Sequence, residues 1–188
     1  MKFLMLGLML RRALSLYELH GRFEAGLAHI YAASYGSIHR ALRQLHDAGD
    51  VEQIADPDPP RNTKRYVTTD QGRRNWLDWM KHPRSAEDSE ASMLARVFLL
   101  GLLESSAERR DVLIALRERA LRDVEALRTV DATAGTEDVE SAVPHYPRAA
   151  LDYGVQASEA IVTWLEQLLS ELPPRETARP ERPERPER

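Results

Sequence analysis

From Ser34 to Gly49 the chain reads SYGSIHRALRQLHDAG, and its polar residues are spaced for a single helical face. With Ser34 as N-cap, steps of about 100° per residue put Tyr35, Ile38, Ala41, Leu42 and Leu45 on a face that must be buried. Gly36, Arg40, Arg43 and Asp47 fall opposite, with Ser37 and Gln44 on one shoulder and His39 and His46 on the other. Hydroxyl, imidazole and guanidinium groups of this kind donate to base edges and phosphates, and an arginine fork pairs with the O6 and N7 edge of guanine. Ser34, Tyr35, Ser37, His39, Arg40 and Arg43 are therefore candidate contacts to double-stranded DNA. Arg61, Lys64 and Arg65 form a second basic group further along the chain. Two arginines on a solvated helix are common, so the helix face alone does not decide the matter.

The surrounding pattern supplies the elements that would position these groups. Residues 2–12 read as a helix, and Ser15-Leu16-Tyr17-Glu18 is a capping box opening a second helix to about Leu27. The third helix runs from its Ser34 cap to Ala48 and stops at Gly49. Val51, Gln53 and Ile54 suit a strand, the segment DPDPP breaks it, and Lys64 to Thr68 returns, which makes a hairpin with a basic tip. Thr69 or Asp70 then caps a fourth helix striped by Trp76, Leu77 and Met80 and ended by Pro83. A helix-turn-helix followed by a basic hairpin is the order of a winged helix.

The fold class expected is mainly α: a winged helix-turn-helix over 1–82 with three helices, a two-stranded wing and a connecting helix, then a linker at 83–90 and a helical dimerisation region over 91–172. Stripes at Met93, Leu94, Val97, Phe98 and Leu102, at Leu113, Leu116, Ala120, Val124 and Leu127, and at Leu151, Val155, Val162, Leu165, Leu169 and Leu172 carry the second region. They present more apolar surface than a monomer would bury, which predicts a homodimer with a two-fold axis. TAGTEDVESAVP reads as a loop, and the Arg-Pro-Glu repeats of residues 173–188 read as a disordered tail. Trp79 and Trp164 are candidates to line a cavity for a small aromatic effector, while Trp76 reads as core.

Charge and composition narrow the function classes. Of 188 residues none is cysteine, which excludes disulfides, thiol catalysis and thiolate zinc sites. Residues 1–82 hold 12 Lys and Arg against 9 Asp and Glu, whereas residues 83–172 hold 9 against 17. A nucleic-acid-facing half joined to an acidic partner half fits that asymmetry. No histidine pair has ligand spacing, and neither a glycine-rich phosphate loop nor a nucleophile elbow occurs, so no cofactor, metal or enzymatic activity is expected. The apolar run FLMLGLML leads straight into Arg11 and Arg12 without a cleavage site and is far short of the roughly 20 residues of a membrane span. A buried first helix in a cytoplasmic protein with no membrane partner is expected.

Over about residues 3–80 the chain resembles the PadR-like transcriptional regulators. FLMLGLML resembles the family's opening helix, LSLYEL its second, SYGSIHRALRQLHDAG its recognition helix, and TKRYVTTDQGRR the second wing strand with the start of the next helix. The resemblance implies a homodimeric, sequence-specific DNA-binding regulator, a repressor released by a phenolic or planar aromatic ligand, with dimerisation through C-terminal helices. Two positions depart from the pattern: Leu16 stands where the family has glycine, and His39-Arg40 where it has Tyr-Pro. These fit an altered base preference, with Arg40 as an extra contact, better than a loss of DNA binding. The alternative from another class is a winged-helix protein-interaction module without DNA-binding activity.

Overall fold

Helix α1 (Lys2–Met9) sits at the centre of the apolar core, with Leu4, Met5, Leu6 and Met9 all fully buried. It ends three residues before the expected limit, and Arg11 and Arg12 are exposed. The computed structural model describes residues 1–55, 64–83, 89–134 and 145–173. A two-residue strand, β1 (Leu14–Ser15), follows α1, and then α2 (Leu16–Arg22), which continues through a π turn at Phe23–Leu27. The expected capping box is present in both directions: Ser15 Oγ accepts from Glu18 N at 3.2 Å, and Ser15 N donates to Glu18 Oε2 at 2.7 Å.

Next come α3 (Tyr35–Asp47), β2 (Val51–Ile54), β3 (Arg65–Thr68) and α4 (Asp70–Lys81). The strands form a three-stranded antiparallel sheet in the order β1-β3-β2, with Val51 opposite Thr68 and Leu14 opposite Tyr66. The β2–β3 hairpin is the expected two-stranded wing, and β1 adds a third strand to its sheet. The DPDPP loop lies outside the described residues.

Thr69 caps α4 by accepting from Gly72 N at 3.1 Å. Trp76 and Met80 point into the core as the stripe predicts. Gly72 is required by proximity: a Cβ built there would lie 2.0 Å from the backbone oxygen of Asp50. The end of α3 and the start of α4 are thus pressed together. Thr69 N donates to Asp50 O at 3.0 Å, Thr69 Oγ1 to Gly49 O at 2.7 Å, Gln71 Nε2 to Ala48 O at 2.8 Å, and Asn75 Nδ2 to Asp50 Oδ1 at 2.7 Å.

The C-terminal part comprises α5 (Glu90–Leu99), α6 (Ser106–Ala134) and α7 (His145–Glu171). Its face differs from the expected stripe in α5. Met93, Ala95, Arg96 and Leu99 are buried, whereas Phe98 is 52% exposed. Arg96, 1% exposed, donates from Nε to Trp79 O at 3.0 Å and lies 4.3 Å from the centroid of the Trp79 ring. The physical reason lies in α4: the helical partner of Trp79 O would be the N–H of residue 83, which is proline and has none. Arg96 takes that role from a neighbouring helix.

Helices α6 and α7 pair antiparallel, with Arg117 against Glu166 and Arg128 against Glu159. Leu113, Leu116, Ala120 and Val124 are buried between them as predicted, together with Leu165. The apolar core is continuous from Leu4 to Leu165. Most of the expected linker, residues 84–88, and all but Pro173 of the expected tail lie outside the described residues, as do residues 135–144 of the expected loop. Among the described residues no helix is long and apolar enough to cross a membrane.

Candidate nucleic-acid interface

The predicted helix face is built as a rigid unit. Ser34 Oγ accepts from Ser37 N at 3.2 Å, which fixes the start of α3. At the other end Gly49 adopts φ +74°, the left-handed conformation of a helix C-terminus, and Asp50 N returns to Leu45 O at 2.9 Å. Ile38, Ala41, Leu42 and Leu45 are buried, so the side opposite them faces solvent. His39, Arg40 and Arg43 are exposed there. Among the described residues neither arginine has an ion-pair or hydrogen-bond partner, which leaves both guanidinium forks open.

Three of the expected positions behave differently. Tyr35, expected on the buried face, is 49% exposed. Its ring meets His20 of α2 edge-on at 5.4 Å. Ser37 is half-buried, and its hydroxyl donates to Ser34 O at 2.8 Å, so it serves the helix start rather than pointing outward. Arg65 is turned across the sheet: its Nη2 donates to Ala13 O at 3.2 Å and to Glu18 Oε1 at 2.9 Å. It pins the wing to α2 and its charge is engaged within the chain.

The pairing with Arg65 also governs Glu18. Burial pushes that carboxyl upward, but the Ser15 hydrogen bonds and the Arg65 guanidinium outweigh it and hold Glu18 below the usual carboxylate range. Lys64, at the head of β3, is exposed. Arg61 lies outside the described residues. Tyr17, 78% exposed in the first turn of α2, was not among the expected contacts.

Of the two cavities that border Trp79 or lie between the C-terminal helices, neither is lined by both tryptophans. Trp79 borders a cavity of about 430 Å³ with Asp50, Asn75, Asp78 and His82. Its ring is already engaged, stacked on Phe3 at 5.0 Å and covered by Arg96. Trp164 is half-buried against the core of α7 and does not line that cavity. Nor does either tryptophan line the cavity of about 270 Å³ between α5, α6 and α7, which is walled by Met93, Leu116, Leu127 and Ile161. No group of three or more histidine and carboxylate side chains among the described residues is arranged to hold a metal ion.

No family model matches the chain. The chain is 24% identical over 178 residues to the negative transcriptional regulator PadR of Bacillus subtilis strain 168, spanning 90% of this chain and 96% of that protein. Among solved structures, Bacillus subtilis PadR in complex with operator DNA is similar at 21% identity and a TM-score of 0.41, covering 90% of this chain and 97% of that one. A PadR-like transcriptional regulator from Bacillus cereus is similar at 24% identity and a TM-score of 0.39, covering 90% and 96%.

Proposed function

We propose that this chain, which is PadR-like along 90% of its length, is a DNA-binding transcriptional regulator that inserts α3 into the major groove and acts as a homodimeric repressor. The observation that carries the reading is the outward face of α3, where Arg40 and Arg43 stand exposed and unpaired among the described residues on a helix fixed at both ends. Ser34, Tyr35 and His39 flank them, and Lys64 reaches the phosphate backbone from the wing. Arg61, a contact expected from the sequence, is kept in the reading and lies outside the described residues. Arg65 and Ser37 hold the shape of the interface. Repression is the sign of regulation carried by the negative regulator from Bacillus subtilis to which the chain is similar. The domain division at residues 83–90 is part of the reading, with dimerisation assigned to residues 91–172. Tyr146 and Tyr153, 73% and 74% exposed on α7, supply apolar surface for that contact. A small aromatic effector would enter beside Trp79, with Trp164 outside that site.

Substitution separates reading from holding. Arg40→Ala is expected to weaken operator binding by roughly 1–3 kcal/mol while affecting random DNA much less. Lys64→Ala is expected to weaken both equally and flatten the log-affinity against log-salt slope by about 0.9. A gel shift on the DNA upstream of the chain's own gene supplies the operator. Equal losses on both DNAs for Arg40→Ala would make it a phosphate clamp. If neither substitution alters binding to any DNA, the protein-interaction reading replaces this one. Sedimentation of the full chain as a monomer at micromolar concentration would remove the dimer.

A further inference from the structure

The start of α3 is met from α2 by an imidazole. The His20 and Tyr35 rings have centroids 5.4 Å apart and planes 63° apart, the edge-on geometry that aromatic pairs favour. His20 Nδ1 also lies 3.3 Å from Glu24 Oε2, one turn further on in the π turn that continues α2. The His20 side chain is only 21% exposed, whereas Tyr35 stands half-exposed as the first residue of α3. A largely enclosed imidazole thus meets both a carboxylate and the aromatic residue that opens the candidate DNA-reading helix.

Titration connects these two contacts, because imidazole is the side chain that ordinarily changes its charge between about pH 5 and about pH 8. Protonation turns the Glu24 contact into an ion pair that restrains the ring, and it brings positive charge close to an aromatic ring that attracts it. Among the described residues, Glu24 faces His20 from its own element and Tyr35 from α3, while β1 brings no titratable group. His39 follows Tyr35 one turn along α3 and is exposed. Two positions before His20, Glu18 is engaged by Ser15 and Arg65, and two positions after it Arg22 feels Arg12 and Glu18.

We propose that His20 is a positioning residue for DNA binding: it holds Tyr35 at the start of α3 in the orientation that meets DNA, and it holds it best when protonated, so that binding takes up a proton. The inference rests on the DNA-binding reading and deepens it. Tyr35 is the group that touches DNA, and His20 acts through it. A backbone phosphate near Tyr35 favours the charged imidazole in turn, and this linkage is what a pH profile reads.

The test is operator binding by the full chain, followed by fluorescence anisotropy from about pH 8 to about pH 6 at fixed ionic strength. The parent is expected to bind about three- to tenfold more tightly at the acid end, within the limit of roughly tenfold per pH unit that one proton allows. His20→Gln is expected to match the parent at the alkaline end and to lose most of that gain. In a Tyr35→Leu background, His20→Gln is expected to change nothing further. His39→Gln and His46→Gln control for the imidazoles of α3 itself, His46 being half-exposed and edge-on to Tyr66 at 6.4 Å, and each is expected to keep the greater part of the gain. In the free chain the Tyr35 ring resonances are expected to move as His20 titrates. Ring signals that ignore His20 would overturn the proposal. So would a gain that survives in His20→Gln and vanishes in His39→Gln, which would assign the proton to a direct phosphate contact. A loss from His20→Gln by the same factor at every pH would overturn it too, leaving His20 a packing residue. DNA binding with a pH profile indifferent to His20 sinks this inference alone, whereas a parent that binds no DNA at any pH sinks the DNA-binding reading beneath it.

Discussion

Replacing Gly72 by alanine inserts one methyl group where α4 meets the backbone after α3. The built Cβ lies 2.0 Å from Asp50 O, 2.8 Å from Asp50 C and 3.0 Å from Thr68 Cγ2, whereas ordinary contact begins at 3.4 Å. The two nearest atoms are backbone, which no rotamer change can clear. The start of α4 must therefore retreat by more than an ångström, stretching the Thr69–Asp50 and Asn75–Asp50 hydrogen bonds of 3.0 and 2.7 Å. Overpacking of this kind costs about 1–3 kcal/mol, and each hydrogen bond lost adds about 1 kcal/mol. Alanine's better helix propensity returns about 1 kcal/mol, leaving a net loss of about 2–4 kcal/mol. For a chain of this size that is a fall in thermal midpoint of roughly 5–15 °C, read by calorimetry or circular dichroism. Gly36→Ala is the matched control, because the space around Gly36 in α3 is open, and it is expected to raise the midpoint slightly. A Gly72→Ala midpoint within a degree of the parent would refute the argument from close approach.

Glu18 is held below the usual carboxylate value of 4.5, so its stabilising contribution is complete above that pH and is lost as the pH falls through its lowered folded value. Glu18→Gln is accordingly expected to narrow the stability difference between neutral and acid solution, and an acid unfolding curve of unchanged steepness would count against it. Arg96→Met keeps most of the buried volume but leaves Trp79 O without its donor, with an expected cost of about 1–3 kcal/mol measured by urea unfolding. A cost near zero would mean that water replaces the guanidinium.

The parts legible in the sequence were those fixed within a few residues of themselves. Ser15, Ser34 and Thr69 were readable as caps because the acceptor and the donor it serves are three residues apart. Gly49 was readable as a stop because it alone of its neighbours takes a positive φ without strain. Strand β1 was not readable, since two residues become a strand only when β3 lies beside them. Arg65 looked like its basic neighbours, and only the sheet register turns it toward Glu18 instead of solvent. The burial of Arg96 arises from a missing N–H at Pro83 and an aromatic ring 17 positions away, a relation that periodicity within α5 does not carry.

The hydrogen bonds that converge on Ala48, Gly49 and Asp50 also have a mechanical meaning. Four donors of α4 and its cap bond the three residues that follow α3, so the start of α4 and the end of α3 are joined by hydrogen bonds as well as by packing. Trp79, in α4's last turn and about 14 Å from its start at 1.5 Å per residue, is where Arg96 of α5 donates to the helix through Trp79 O. Helix α4 is thus hydrogen-bonded at its start to the turn that ends α3 and at its last turn to α5, so it directly joins the packing of α5 to the helix that carries Arg40 and Arg43.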